Sequence, residues 1–323
     1  MLRFSYHVSH EQFSPRELLQ LVGHAEHCGF DAAFSSDHIQ PWLPAQGHSG
    51  FTWAWLGAAL QATSRLTFAG ITIPGNWRYH PVVVAQAIAT LGEMFPGRLP
   101  WFALGSGEAL NEAVTGEPWP AKIERDARLF EAADIIRALL RGDRVSRREP
   151  IPTRDARIWS KPAQPTLLYA AALSASTARW AASWADGLLT LGARLPQLTE
   201  VVEAFRGTGD DKPVHAKIDV SWAPSEEQAL LQAHQQWRVH ALEGGPPPGA
   251  RTPEEFVEAS RSVSPEQVRD VVLVSSSADQ FIEWLRERAA LGLELIDLHN
   301  VGRNQREFIE MFGMRVLPAL RGM

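Results

Sequence analysis

Residues 66–104 read LTFAGITIPGNWRYHPVVVAQAIATLGEMFPGRLPWFAL. This stretch decides the fold, because it holds one complete strand–helix–strand unit. Residues 66–73 read as a strand. Pro81 opens a helix over 81–94, at the first helical position, where its missing N–H is no loss. Residues 99–104 read as the next strand. The same alternation extends in both directions. Strands are expected at 2–8, 31–35, 166–172, 187–191, 214–222 and 293–299. Helices are expected at 15–28, 53–62, 125–140, 174–183, 196–205, 226–241 and 279–290, with 305–320 closing the chain. In the first helix Leu18, Leu19, Leu21 and Val22 cluster on one face, and Gly29 stops it. Eight strands, each coupled to a helix, predict an α/β chain folded as a single (β/α)8 barrel over 1–323. A doubly wound sheet ranks second, because its dinucleotide-binding fingerprint is missing.

One stretch breaks the pattern. Residues 243–249 are Glu-Gly-Gly-Pro-Pro-Pro-Gly, which suits neither helix nor strand. It opens a connection running to about Pro265 with no clear apolar period. Such barrels carry their insertions on the C-terminal face, so the connection is read as an excursion over the barrel mouth.

Composition narrows the function classes. The chain has 323 residues, a net charge of −6 and a single cysteine, Cys28. The negative balance argues against non-specific nucleic-acid binding, which needs a basic face. One cysteine forms neither an intrachain disulfide nor a multi-thiolate metal site. The N-terminus lacks the apolar core of a signal peptide, and no apolar run is long enough to span a bilayer, so a cytoplasmic location with no membrane partner is expected. His24 and His27 share a helix face, but no third ligand accompanies them and no metal is expected. Neither a nucleophile elbow nor a phosphate loop is present. The chain is rich in tryptophan, 12 against 3 tyrosines.

Catalytic groups of such a barrel sit just beyond the C-terminal ends of its strands. There the sequence places His7, His10 and Glu11 after strand one, and Asp37, His38 and Trp42 after strand two. Asn76, Trp77, Arg78, Tyr79 and His80 follow strand three. Gly105-Ser106-Gly107-Glu108-Ala109-Leu110-Asn111-Glu112 follows strand four. Ionisable and aromatic residues thus converge at four consecutive mouths. Small residues at 105–107 let a ligand approach the backbone. Indoles at Trp42, Trp77, Trp119 and Trp222 can wall a pocket for a flat ring, and Trp53 and Trp55 lie in the helix beyond. Trp180, Trp184 and Trp284 read as barrel packing.

The full set of motifs resembles the luciferase-like flavin oxidoreductases. It runs from 11–18 through Ser36-Asp37-His38, Gln40-Pro41-Trp42, Arg78-Tyr79-His80-Pro81 and 105–112 to 302–308. Within that family it is similar to the branch of deazaflavin (coenzyme F420)-dependent glucose-6-phosphate dehydrogenases. The resemblance implies the same barrel, a homodimer, and hydride transfer between a small organic substrate and a bound ring. It implies His38 as catalytic base, Glu108 as acid near the ring, and Trp42 and Glu11 as substrate-positioning and supporting residues. Asp37 matches a cofactor-contacting aspartate. Ile71, Thr72, Gly105, Ser106, Gly107, Ala171, Ala172, Leu173 and Arg194 fall at cofactor-binding positions. The family also often carries a non-proline cis peptide behind the ring, here Ile71–Thr72.

Departures from the branch matter equally. Its Ala-Ala-Gly-Gly-Pro after strand five is here Ala170-Ala171-Ala172-Leu173-Ser174. A lysine that grips the sugar phosphate is matched by Arg194, and a second by Glu258, whose carboxylate would repel a phosphate. Glucose 6-phosphate is therefore not the expected substrate. The run Gly-Glu-Pro-Trp-Pro at 116–120 and the run 298–305 are similar to a subgroup that has returned from the deazaflavin to FMN. FMN is the expected cofactor and coenzyme F420 the alternative. A reduced-FMN monooxygenase served by a separate flavin reductase, and a non-catalytic flavin-binding barrel, are the competing readings.

Overall fold

The computed structural model describes residues 2–207, 209 and 211–322. Its central strands are β1 (Arg3–Val8), β2 (Ala32–Ser35), β3 (Thr67–Thr72), β4 (Trp101–Leu104), β5 (Leu167–Ala171), β6 (Gly187–Leu191), β7 (Val214–Trp222) and β8 (Leu295–Asn300). Each pairs in parallel with the next, and β8 pairs back onto β1 through Arg3↔Leu295 to Tyr6↔Leu298. The sheet is closed into a ring. The eight expected strands are these eight, with ends shifted by one or two residues.

The expected connection at 243–265 is more ordered than its composition suggested. It contains a helix, Pro253–Ala259, opened by a reciprocal capping box between Thr252 and Glu255. A short strand, Leu273–Ser275, follows and pairs with Val220–Trp222 of β7. β6 leaves β7 at Lys217 while β8 still occupies the opposite edge at Val220, so the short strand takes over the vacated edge. The helix packs over the mouth as expected. Phe256 meets Trp42 edge-on at 5.4 Å, within a second apolar core that also includes Leu43, Leu110, Trp237 and Val268.

Strand alternation divides the ring into two layers. Outward residues such as Phe4, Tyr6, Phe68, Phe102, Ile218 and Ile296 face the helices and form the main core. Trp53 stacks on Phe102 at 4.7 Å, and Trp55 lies beside His10 and Phe68, so both indoles are packing rather than pocket wall. Trp180 and Trp184 pack on each other as anticipated.

Inward residues fall into unlike halves. Phe34, Ala69, Trp101, Ala103, Tyr169 and Leu189 make an apolar cluster. Gly187 is needed there, because a Cβ at that position would lie 2.5 Å from the Tyr169 ring. Against it stand Ser5, His7, His215, Asp219, Asp297 and His299, all buried, on β1, β7 and β8, with His215 packed on Trp101 and Tyr169 at 4.6 and 4.8 Å.

Candidate active site

The mouth of the barrel brings together residues from four strand ends. Glu11 is buried. Its Oε2 accepts hydrogen bonds from Ser36 Oγ at 2.6 Å and Ser9 Oγ at 2.9 Å. Its Oε1 lies 3.3 Å from His38 Nε2. Burial alone would raise this carboxyl. The neighbouring His38, the Ser36 hydroxyl and His7 outweigh burial and hold it down at about 2. Glu11 is therefore a fixed negative charge behind the imidazole.

His38 Nδ1 sits 2.9 Å from Asn111 Nδ2. The Asn111 Oδ1 accepts the Ile39 and Gln40 N–H groups at 3.0 and 3.4 Å. Trp42 flanks the ring, with centroids 5.2 Å apart, and is itself wedged against His240 and Phe256. Thus Glu11, His38 and Trp42 do converge, with His38 the partly open member at 14% side-chain exposure.

Glu108 stands at the N-cap position of the short helix Ala109–Glu112 without a side-chain capping bond. Unlike Glu11, its carboxyl makes no hydrogen bond among the described residues and reaches solvent. The mouth still crowds it enough that desolvation raises its pKa. His38 and Arg125 pull the other way, and the Glu11 charge adds to the rise. Gly107 just before it adopts φ +81°, and a Cβ there would lie 2.8 Å from Ile73 and 2.9 Å from Trp119. The turn that aims Glu108 thus depends on glycine. Trp119 in turn packs on Trp77 at 5.0 Å, with Arg125 over its face at 4.8 Å.

Asp37 belongs to a different cluster. Both of its oxygens are engaged, Oδ2 by Thr72 Oγ1 at 3.2 Å and Oδ1 by Tyr79 Oη at 3.1 Å and Arg78 Nη1 at 3.4 Å. Arg78 also donates from Nε to Glu112 at 3.1 Å. Burial lifts the Glu112 carboxyl to about 7 against the pull of Arg78. This knot ties together the ends of β2, β3 and β4.

Several expectations need correction. The Ile71–Thr72 bond is trans; among the described residues the cis peptide is Glu149–Pro150. β3 stays in register through Thr72↔Leu104, and Gly105 N–H reaches Thr72 O at 3.0 Å, so the ladder continues regularly across the bond. Thr72 is fully buried, with its hydroxyl spent on Asp37. Ala172 is also buried, in the helix-facing core. Of the expected trio after β5, Ala171 is half-buried and Leu173 is 57% exposed. Arg194 is exposed and donates to Asp270 O at 2.9 Å.

Residues that sequence reasoning passed over include Asn111, Gln12 and the β7 pair Lys217–Asp219. Lys217 ion-pairs with Asp219, whose carboxylate also takes His299 Nδ1 at 2.7 Å. Gln12 Oε1 lies 2.9 Å from His299 Nε2. A signal was available: His215, Lys217 and Asp219 alternate inside an otherwise apolar strand, which is the period of an inward-facing barrel row.

The luciferase-like monooxygenase family model matches residues 1–295. The chain belongs to that family. It is accordingly an oxidoreductase on a luciferase-like (β/α)8 barrel. It is 35% identical to an F420-dependent glucose-6-phosphate dehydrogenase of Nakamurella multipartita, over 100% of this chain and 97% of the relative. It is 36% identical to one of Beutenbergia cavernae, covering 99% and 98%. An F420-dependent secondary alcohol dehydrogenase, solved with an F420–acetone adduct, superposes with a TM-score of 0.91 at 29% identity, covering 99% of both chains. A coenzyme F420-dependent tetrahydromethanopterin reductase from Methanopyrus kandleri shares the fold at a TM-score of 0.78 and 19% identity, covering 99% of both chains. No described helix is long and apolar enough to cross a membrane.

Proposed function

We propose that this luciferase-like protein is a deazaflavin-dependent dehydrogenase acting on a small secondary alcohol or its ketone. One observation carries the reading: Glu108 and His38 face a common mouth, and Glu108, unlike Glu11, Asp37 and Glu112, has no side-chain hydrogen-bond partner among the described residues. A structural carboxylate is satisfied, as Glu11 is. A carboxyl left free beside an imidazole, with its affinity for protons raised, is suited to exchanging a proton with substrate.

The mouth suits a flat ring. Leu173 and Leu191 leave the ends of adjacent strands β5 and β6 and are 57% and 40% exposed, and Ile39 after β2 is 47% exposed. Exposed apolar groups at strand ends supply faces for an aromatic system. Gly105, Ser106 and Gly107 would border the ring, with Ala171 and Leu173 beside its chain and Arg194 at the rim. When bound, the deazaflavin supplies a two-electron hydride acceptor. Coenzyme F420 takes precedence over FMN because it is the cofactor named for the similar dehydrogenases along their whole length.

Trp42 and Phe256 give the substrate an apolar wall. Glu258 stands on the same helix as Phe256, ion-paired to Arg261. Its charge disfavours a phosphorylated sugar although the similar relatives are named for one. The test is absorbance titration of the purified protein with F420 and with FMN, followed by turnover with secondary alcohols and with glucose 6-phosphate. Deazaflavin binding with bleaching by an uncharged alcohol is expected. Binding of FMN alone, with oxygen uptake when it is reduced, would transfer the assignment to a monooxygenase. Bleaching by glucose 6-phosphate alone would remove the substrate argument.

A further inference from the structure

The hydrogen bonds of Asn111 have a consequence for the chemistry of His38. An amide has one acceptor end and one donor end. The backbone N–H groups of Ile39 and Gln40 both point at Oδ1, which fixes the amide. Nδ2 is then the atom facing His38 Nδ1 at 2.9 Å, and it can only donate. A neutral imidazole that accepts at Nδ1 carries its proton at Nε2. His38 Nε2 makes no hydrogen bond within the described residues. Its close neighbour is the Glu11 carboxylate at 3.3 Å, which attracts an N–H and repels a lone pair. Both ends of the ring therefore favour the same tautomer.

We propose that Asn111 is a positioning residue that locks neutral His38 as the Nε2–H tautomer, so that the ring offers the substrate oxygen a proton donor and not a lone pair. This rests on the reading of the mouth as the site of an alcohol–ketone conversion, and it changes the roles within it. The one lone pair of neutral His38 is spent on Asn111. When a hydroxyl is oxidised, the hydrogen on its carbon would leave as hydride to the deazaflavin of the proposed function, and its O–H bond breaks toward the Glu108 carboxylate, which gains the proton. Meanwhile the substrate oxygen accepts the His38 Nε2–H hydrogen bond. In the ketone direction the same N–H polarises the carbonyl, and protonated Glu108 returns the proton. The division of labour implied by family resemblance, with His38 as base, is thereby reversed.

The test is ¹⁵N NMR of ring-labelled protein, without cofactor, at a pH where His38 is neutral. The His38 signals are assigned by their loss in His38→Asn. A pyrrole-like Nε2 and a pyridine-like Nδ1 are expected. The opposite pattern in the wild-type protein overturns the proposal, whatever the cofactor proves to be. Asn111→Asp keeps the shape and the acceptor for Ile39 and Gln40 but replaces the donor by a carboxylate, and is expected to place a proton at Nδ1 while Glu11 still favours one at Nε2. With the ring then held as an imidazolium, the Glu108 carboxylate loses proton affinity, and kcat for alcohol oxidation is expected to fall about a hundredfold with KM changed much less. A proton at Nδ1 without loss of kcat overturns the positioning role. An alcohol–ketone reading that fails leaves the NMR pattern intact, so the two failures are distinguishable.

Discussion

Two imidazole–carboxylate pairs stand a few ångströms from the same short turn, and consecutive residues hold them. Glu11 lies beside His38 in the mouth. Inside the barrel His299 sits between Gln12 Oε1 at 2.9 Å and the Asp219 carboxylate at 2.7 Å. The chemistry of the pairs is alike, but their surroundings are not. His299 is sealed: Trp237 lies edge-on at 4.6 Å, His7 lies at 4.3 Å, and the residue is 1% exposed. Burial, with Lys217 and His7 nearby, pushes its pKa down to about 3 against the pull of Asp219. That ring stays neutral and its proton has nowhere to go. His38 is 14% exposed at the mouth, and its Nε2, beside Glu11, makes no hydrogen bond among the described residues. The difference teaches that a buried His–acid pair is a fastening unless one ring nitrogen and one further acid are left unsatisfied.

The largest expected effect breaks the comparison on the mouth side. Glu108→Gln is expected to lower kcat by about 10²–10⁴-fold, the ordinary range for loss of a general acid–base. Cofactor absorbance on binding and the melting temperature should stay near those of the wild type. A variant that still turns over at the wild-type rate would falsify the proton-transfer role.

The second effect belongs to the interior. His10, His215 and His299 are held down at about 4, 3 and 3, chiefly by burial. In the unfolded chain each titrates near its ordinary value of 6.5. Their folded pKa values are depressed, so between these limits the unfolded state binds more protons, and stability falls as pH falls. From pH 6.5 to about 4.5 each is expected to cost about 2 kcal/mol. Glu112, raised to about 7, opposes this, since its folded form takes up a proton first as pH drops. It offsets roughly one histidine. Urea unfolding at a series of pH values should show a net loss beginning below 6.5. A flat profile down to pH 4.5 would mean these rings are not buried neutral.

How much of this was legible follows from the same contrast. The strands were readable because each is a short apolar run before a turn signal, as 66–73 before Pro74-Gly75. The mouth residues were readable because a barrel's chemistry lies at strand ends, which pointed to His38, Glu11, Trp42 and Glu108 together. The interior pair was not, since its partners are 80 residues apart, Asp219 on β7 and His299 on β8. No local pattern records a barrel's closure. Asn111 was visible but mute: within 105–112 its role depends on which amide end faces His38. The trans bond at Ile71–Thr72 was illegible for another reason. The expectation came from the family resemblance alone, and neither residue type marks the isomer.

Asp219→Asn tests the fastening directly. It removes the charge that faces Lys217 and His299 while keeping the shape. Lys217 is left as a largely buried ammonium, 14% exposed in its side chain, with no counter-ion. Removing one partner of such a pair is expected to lower stability by about 3 kcal/mol. Lys217→Met with Asp219→Asn should recover part of that loss, because the uncompensated charge is gone. Chemical denaturation of the three proteins checks the ordering; a double variant no better than the single would place the cost in lost shape instead of charge.

The smallest effect sharpens what Glu11 does. Ser36→Ala deletes the 2.6 Å hydrogen bond to its Oε2 and leaves the Ser9 bond at 2.9 Å. A hydrogen bond to a charged group contributes about 1.5 kcal/mol, and that is the expected loss of stability at neutral pH. The carboxyl, held at about 2 in the folded protein, should move up toward its ordinary 4.5. A depressed carboxylate stabilises above its unfolded pKa and loses that contribution as pH falls through the folded value. The variant should therefore resemble the wild type in turnover at pH 7, where Glu11 remains ionised. The acid limb of its unfolding profile should be shallower and end at a higher pH, because the folded carboxyl takes up its proton sooner. A limb that does not move would show that the Ser36 hydroxyl is not what holds this charge beside His38.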